Sequence, residues 1–198
     1  QVFDMIEGEK PRVVSVIGDS TFFHTGINSL LDAAYNRSNL ITVVLDNRIT
    51  AMTGQQENPG TGYTIAREVT EAVNIEPLVR AMGIKNVRTI NPNQLSQVNE
   101  ALDWALGMDE QTVIITRWPC ALKKQAPWDL EEFQGAFTET YFVDESVCIG
   151  CRKCTRTGCP AVVFQFEKKK SSIDPDKCVG CSVCAQVCPV QAIQKVEA

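Results

Sequence analysis

The sequence has no apolar run long enough to cross a membrane, no signal peptide, no surplus of basic residues, a single histidine and no methionine at its start. The first two absences argue against a transmembrane helix and against secretion through a leader, so the expectation is a cytoplasmic chain. With secretion unsupported, the sequon Asn36-Arg37-Ser38 is set aside. A net charge of −5 argues against nucleic acid as a partner. A lone histidine is more often structural than catalytic, and any acid–base role for that residue type rests on His24. A start at Gln1 with a strand close behind reads as a piece of a longer polypeptide. The apolar and charged fractions, 44% and 22%, are those of a globular chain, and the length suits one ordinary domain plus a small one.

Cysteine, by contrast, is plentiful. There are nine, and all but Cys120 lie from Cys148 onward. Such a set can be a disulfide framework, a zinc site or iron–sulfur clusters. Disulfides need an oxidising compartment, and neighbouring C-x2-C pairs make poor staples. Zinc sites use pairs of C-x2-C, whereas this sequence has triplets that end in Cys-Pro. Cys148, Cys151, Cys154 and Cys159-Pro160 form C-x2-C-x2-C-x4-C-P; Cys178, Cys181, Cys184 and Cys188-Pro189 form C-x2-C-x2-C-x3-C-P. The second run is the bacterial ferredoxin pattern, in which the fourth cysteine ligates the other cluster. That predicts two [4Fe–4S] clusters, one on Cys148, Cys151, Cys154 and Cys188, the other on Cys178, Cys181, Cys184 and Cys159. Gly158 is placed to absorb the extra residue of the first run. A segment this short cannot stand on a hydrophobic core alone, so metal–thiolate bonds must supply much of its folding free energy. Tyr141-Phe142-Val143 and Val162-Val163-Phe164 read as strands, Lys168 to Ser172 as a solvated turn between two halves of an internal repeat, and Cys120 as a small buried hydrophobe.

The rest of the chain is organised around Gly18-Asp19-Ser20. Val13 to Ile17 before it reads as a buried parallel strand, and Thr21 to about Asn36 after it as a helix through Leu30, Leu31 and Ala34. The next strand, Leu40 to Leu45, ends at Asp46-Asn47. Parallel pairing would bring Asp19 and Asn47 to one sheet edge, beside a helix start. That is where open α/β sheets bind ligands and where a phosphate is favoured. Two side-chain oxygens beside an anion site suit a magnesium-bound diphosphate. Phe22 and Phe23 are candidates for a pocket wall, with one at least belonging to the core.

In chain order, Gln1 to Pro11 is a polar lead-in from which Phe3, Met5 and Ile6 are expected to pack on the sheet edge. Asp46 to Gly62, rich in Gly, Pro, Asn and Gln, is too long for a mere connector and is a functional-loop candidate, with Gly60-Thr61-Gly62 as a second flexible point. Asn74 to Pro77 starts a helix that stops at Gly83. Val87 to Ile90 is a strand; Asn91-Pro92-Asn93 caps a helix with Leu95, Val98, Leu102 and Ala105 on its apolar face; Thr112 to Thr116 is a strand. This order predicts an α/β wound parallel sheet over residues 1–116, a linker over 117–139 that wraps it, and a small α+β two-cluster ferredoxin-like domain over 140–198.

Gly-Asp-Ser, then twenty-five residues, then Asp-Asn resembles the thiamine-diphosphate motif GDG…NN. More narrowly, GDSTFFHTGINSLLDAAYN and VVLDNRITAMTGQQ resemble the 2-oxoacid:ferredoxin oxidoreductases, above all the large subunit of the indolepyruvate type, which also carries serine at the Ser20 position and the longer first cysteine spacing. The resemblance implies thiamine diphosphate bound by Gly18, Asp19, Ser20 and the diphosphate-side loop Thr53-Gly54-Gln55. It implies Mg2+ on Asp19, Asn47 and the Ile49 carbonyl. Near a bound 2-oxoacid, His24 would orient a carboxylate or carry a proton. The implied reaction is oxidative decarboxylation of indolepyruvate or another arylpyruvate to acyl-coenzyme A and CO2, with single electrons passing through the clusters to ferredoxin. The family also implies a pyrimidine-binding part, upstream in the subunit or in another chain, a smaller partner subunit and a hetero-oligomer in an anaerobic cytoplasm. Pyruvate as substrate, or a non-catalytic electron-transfer subunit whose α/β domain only docks, remain the alternatives.

Overall fold

The computed structural model describes residues 12–134 and 137–196. The lead-in residues Phe3, Met5 and Ile6 lie outside the described residues. The chain forms two units, Gln1–Lys124 and Gln125–Ala198. Among the described residues no helix is long and apolar enough to cross a membrane.

The first unit is a four-stranded parallel sheet of β1 (Val13–Gly18), β2 (Leu40–Asp46), β3 (Asn86–Ile90) and β4 (Thr112–Arg117), in the order β1-β2-β4-β3. The β-branched runs of β2 and β4 are covered on both faces, as parallel strands require. One face sets Val44, Val113 and Ile115 against Phe22 and Leu30 from the helical run after β1, and against Ile75 and Val79 of α3 (Ile75–Ala81). The other sets Ile41 and Ile114 against Ala101 and Ala105 of α4 (Leu95–Leu106). Each fully buried Val or Ile here contributes roughly 1.5–3 kcal/mol.

Local details differ from the sequence expectation. The first helix begins at Asp19 rather than Thr21. It runs as α1 (Asp19–Thr21), a π-helical segment (Phe22–Gly26) and α2 (Ile27–Tyr35). Gly26 lies where a Cβ would stand 2.6 Å from Ile17 Cδ1, so the helix approaches β1 closely at that point. The start of α3 follows the sequence: Asn74 Oδ1 accepts from Glu76 N at 3.1 Å, and Pro77 sits in the first turn. For α4, the N-cap is Gln94, and Asn91 instead closes a turn onto Asn93 N at 2.9 Å. Its buried face is made by alanines, and Leu102 is exposed, because the small side chains let the helix lie close to the sheet.

The second unit contains α5 (Pro127–Glu132), inside the stretch read as linker; Asp129 Oδ2 accepts from Ala126 N at its start, at 3.1 Å. Two antiparallel pairs follow: β5 (Tyr141–Val143) with β8 (Ile193–Lys195), and β6 (Val162–Gln165) with β7 (Lys170–Ile173). The lysine run is therefore a turn only as far as Lys169; Lys170, Ser171 and Ser172 are strand. A polar sequence hides that strand, because its buried residue is Ser171, which faces Cys154 Sγ at 3.3 Å. The core is Cys154, Cys184, Val162 and Ile193, so two of its four buried members are cysteines.

Candidate functional site

Gly18 pairs with Leu45 in parallel register, so Asp19 and Asp46 leave the sheet side by side and Asn47 follows at the same edge. Asp19 is only 2% exposed. Ser20 N donates to its Oδ1 at 2.8 Å and Asn58 Nδ2 to its Oδ2 at 3.2 Å. The Asp46–Gly62 stretch thus folds back on Asp19 through a residue that sequence reasoning did not single out. Asn58 is itself fixed: its Oδ1 accepts from Gly60 N and its carbonyl from Thr61 Oγ1, at 2.9 and 3.0 Å. Gly60-Thr61-Gly62 is an anchored point and not the flexible one expected, since Thr61 is fully buried.

Asn47 Oδ1 accepts from Ile49 N at 3.1 Å, which turns the chain so that Ile49 is buried directly after the strand end. The Ser20 and Thr50 hydroxyls meet at 2.7 Å. A second missed residue, Arg117, holds Asp46: its Nε lies 2.7 Å from Asp46 Oδ2, and its Nη2 donates to Asn74 Oδ1 at 3.0 Å. Cys120 N donates to the Asn47 carbonyl at 2.9 Å, so the segment after β4 pins the Asp-Asn pair from its other side. Thr53, Gly54 and Gln55 lie on an exposed turn bridged at Thr50 and Gln56. Gly54 takes φ +115°, and Gln55 Nε2 donates to the Leu122 carbonyl at 2.9 Å. Phe22 belongs to the core, Phe23 packs edge-on against it at 5.9 Å, and His24 is exposed in the π-helical segment.

This edge fits a metal-bound diphosphate. Asp46 has a guanidinium, but among the described residues no cation faces the buried Asp19 carboxyl. A Cβ at Gly18 would meet nothing within 4 Å, which leaves open space where the strand passes into the helix. Burial pushes the Asp19 carboxyl up to about 6, and the neighbouring Asp46 charge adds to the rise; the bonds from Asn58 and Ser20 work against it. In the metal-free protein the native state therefore keeps a proton between pH 3.8 and about 6 that the unfolded chain has released. Stability falls as pH rises through that window, and the full penalty stands above it. A divalent cation must displace that proton. Mg2+ affinity is accordingly expected to fall by about tenfold per pH unit below pH 6. Calorimetric titration with Mg2+ and thiamine diphosphate in buffers of different ionisation enthalpy should register proton release at pH 5.5 and little at pH 8; equal release at both would rule out the coupling.

In the second unit, Cys148, Cys151, Cys154 and Cys188 line one small cavity that is partly open to solvent, together with Ile193 and Ser171. The neighbours whose charge bears on Cys184 are Cys181, Cys159 and Cys178, so Cys159 stands with the second triplet. Each triplet therefore meets the fourth cysteine of the other run. The extra residue of the first run is taken up by a 3-10 turn over Cys154–Thr157 that ends at Gly158 with φ +70°. Four thiols around one cavity surround a space. That suits a cubane cluster. Burial, then the neighbouring sulfurs, push the Cys184 thiol up to about 12, and burial likewise raises Cys181. These groups become thiolates only against a strong positive centre such as iron.

The family model for the C-terminal thiamine-pyrophosphate-binding domain of thiamine pyrophosphate enzymes matches residues 5–116, and that for the 4Fe-4S dicluster domain matches residues 141–195. Among curated relatives, the indolepyruvate oxidoreductase subunit IorA of Pyrococcus horikoshii is 44% identical over 95% of this chain and 28% of its own length. The subunit of the same name from Archaeoglobus fulgidus is 41% identical over 92% of this chain and 28% of its own. The chain thus spans little more than a quarter of these relatives. Among solved structures, ferredoxin I of Desulfovibrio africanus is 24% identical, with a TM-score of 0.28, over 30% of this chain and 98% of that one. A thiamin diphosphate-dependent enzyme from Mycobacterium smegmatis is 20% identical, with a TM-score of 0.42, over 56% of this chain and 18% of that one.

Proposed function

Because the chain belongs to the thiamine pyrophosphate enzymes, carrying their C-terminal cofactor-binding domain followed by a 4Fe-4S dicluster domain, we propose that it is the cofactor-and-cluster part of a 2-oxoacid:ferredoxin oxidoreductase acting on indolepyruvate or a related arylpyruvate. The observation that supports this reading is one chain in which the buried Asp19 carboxyl and Asn47 lie at the same sheet edge and eight cysteines gather into two sets, each with the fourth cysteine of the other run beside it. When bound, thiamine diphosphate supplies the electron sink that lets a 2-oxoacid lose CO2, and the clusters supply one-electron acceptors.

The chain's own residues have defined tasks in this reading. Asp19, Asn47 and the Ile49 carbonyl would hold Mg2+, and Gly18 and Ser20 would bind the diphosphate of the cofactor. Asn58 Nδ2 fixes one carboxylate oxygen of Asp19 and Ser20 N the other, which holds the carboxyl in place at the edge. Arg117 neutralises Asp46, so only one uncompensated carboxylate meets the metal. Thr53, Gly54 and Gln55 close on the diphosphate from the exposed turn. His24 orients the carboxylate of the 2-oxoacid or carries a proton for it. Cys148, Cys151, Cys154 and Cys188 ligate one [4Fe–4S] cluster; Cys178, Cys181, Cys184 and Cys159 ligate the other. The rest of the active site, including the pyrimidine-binding part, belongs to the remainder of the subunit or to another chain. A smaller partner subunit, coenzyme A and ferredoxin complete the system.

The test uses the complete complex, purified without oxygen. Indolepyruvate and coenzyme A are added with and without thiamine diphosphate and Mg2+, and cluster absorbance is followed. Bleaching that depends on the cofactor is the expected result, faster with indolepyruvate than with pyruvate. Equal or faster bleaching with pyruvate moves the substrate assignment; no bleaching with any 2-oxoacid, despite intact clusters, leaves an electron-transfer subunit with a docking domain.

A further inference from the structure

The two halves of the cysteine unit share a backbone but differ in what they expose. Gly150 and Gly180 take φ +69° and +71°, and the residue after the second cysteine of each triplet is left-handed in both halves, at +61° for Arg152 and +62° for Ser182. In the second half the loop is partly covered: Val179 and Cys181 are half-buried, and Phe137 N donates to the Val179 carbonyl. In the first half it is open. Ile149 is 63% exposed and Cys151 is exposed.

The β6–β7 hairpin folds onto this open loop. Lys170 Nζ donates to the Cys148 carbonyl, and a Cβ on Gly150 would collide with the Lys169 carbonyl, so only glycine admits the hairpin there. The Arg152 guanidinium lies 4.2 Å from the Phe164 ring centre and 5.1 Å from that of Phe166, and the two rings meet edge to face at 5.2 Å. Phe166 remains 73% exposed. Among the described residues no carboxylate pairs with Arg152, which is exposed, borders the cavity of Cys148, Cys151, Cys154 and Cys188, and rests on an aromatic support that limits its direction. Residues 141–170 carry six Lys and Arg against three Asp and Glu, with Lys168 paired to Glu145, whereas residues 171–196 carry two against two, in a chain of net charge −5. A preset cation, exposed aromatic area and local basic excess thus gather beside one cluster cavity and not the other, where the same position is Ser182.

We propose that Ile149, Arg152, Phe164, Phe166 and Lys169 form the docking face for an acidic one-electron carrier protein, and that electrons leave the chain through the cluster on Cys148, Cys151, Cys154 and Cys188. This rests on the cluster reading above. Aromatic area with a central arginine is what a small transient interface needs for affinity, and the basic rim steers an acidic partner and sets the rate of encounter. Each event oxidises the enzyme cluster by one electron and reduces the carrier by one.

The test uses the complete complex with its clusters reduced by dithionite, so the outcome does not depend on 2-oxoacid chemistry. The excess reductant is removed, and the complex is mixed in stopped flow with a small acidic [2Fe–2S] plant-type ferredoxin, whose absorbance differs from that of the enzyme. Arg152→Glu should lower the second-order rate constant on the order of tenfold at low salt, with the difference shrinking at high salt. Phe166→Ala should lower it at all salt concentrations. Arg152→Ser, which copies the residue that already occupies the same backbone position in the second half, guards against misfolding and should give an intermediate loss. Reaction with a neutral quinone should change far less than reaction with the acidic carrier and should show no salt dependence in all three, with the visible spectrum and iron content retained. Wild-type rate constants and salt dependence in Arg152→Glu and Arg152→Ser would overturn the docking face. Loss of 2-oxoacid-driven bleaching in the parent complex would count against the proposed function alone.

Discussion

Asp19→Ala in the complete enzyme is expected to reduce 2-oxoacid oxidation by more than about a hundredfold while the visible iron–sulfur absorbance stays intact. Removing a residue that only orients a metal ligand already costs 10–100-fold in metal affinity or activity, so removing the ligand must exceed that. The effect should come with loss of bound thiamine diphosphate and Mg2+, because among the described residues Asp19 is a buried carboxylate at the edge that no cation faces, whereas Asp46 has Arg117. Fold stability should not fall with activity. Ionising Asp19 in the metal-free protein costs on the order of 3 kcal/mol, from a carboxyl held at about 6 instead of 3.8, and alanine removes that penalty at neutral pH. Asn58→Ala, which removes the bond to Asp19 Oδ2 together with the one from Gly60 N, should give a smaller loss of about tenfold. Normal activity and thiamine content in Asp19→Ala would show that the metal is held elsewhere; a parallel loss of cluster absorbance would show that the substitution had damaged more than its own edge.

What the sequence made legible follows from how each feature is built. Asp19 and Asn47 could be placed together because a parallel pair has only one sensible register, and that register puts Leu45 opposite Gly18. That Cys188 lines a cavity with the first triplet and that Cys159 stands beside the second was legible from the ferredoxin spacing, which does not depend on packing. Asn58 and Arg117 were not. Their partners lie 39 and 71 residues away and are reached through a loop without periodicity and across a sheet, and nothing in the residue types marks an asparagine in a turn or an arginine at a strand end as a clamp. The buried face of α4 was misread at Leu102 because hydrophobicity alone ranks leucine above alanine, whereas Ala101 and Ala105 win by allowing close approach. β7 was missed for a related reason: its inward residue is a serine placed against a cysteine sulfur.

Both candidate sites withhold stability from the empty protein. At the sheet edge a carboxylate is buried without a counter-ion, and in the cysteine unit thiols are buried where one is pushed up to about 12. In each case the group that the site would bind carries the compensating positive charge. Ionisable groups placed where water cannot reach them are poor choices for a fold and good choices for a metal, which is why these positions stand apart from the Val and Ile core around them.

Cys148→Ala combined with Cys188→Ala should leave one cluster, about four irons per chain, whereas Cys178→Ala combined with Cys188→Ala should leave none. If Cys148 and Cys188 ligate the same cluster, the first pair damages only that cluster; the second pair removes one ligand from each. Iron analysis and the electron paramagnetic resonance of the reduced protein read the outcome, since two reduced clusters in one small unit interact and a single one does not. The prediction follows from Cys188 lining the same cavity as Cys148, Cys151 and Cys154, although it sits only four residues after Cys184. The reverse pattern, with no cluster in the first variant and one in the second, would mean that each run of four binds its own cluster and that the crossing is wrong. The crossing also has a stability consequence. The main buried cluster among the described residues of this unit is Cys154, Val162, Cys184 and Ile193, two of them cysteines, so each cluster would tie one half to the other across the chain. Losing either should lower the melting temperature of both halves together and not of one alone, because neither half has enough apolar area to remain folded without the other.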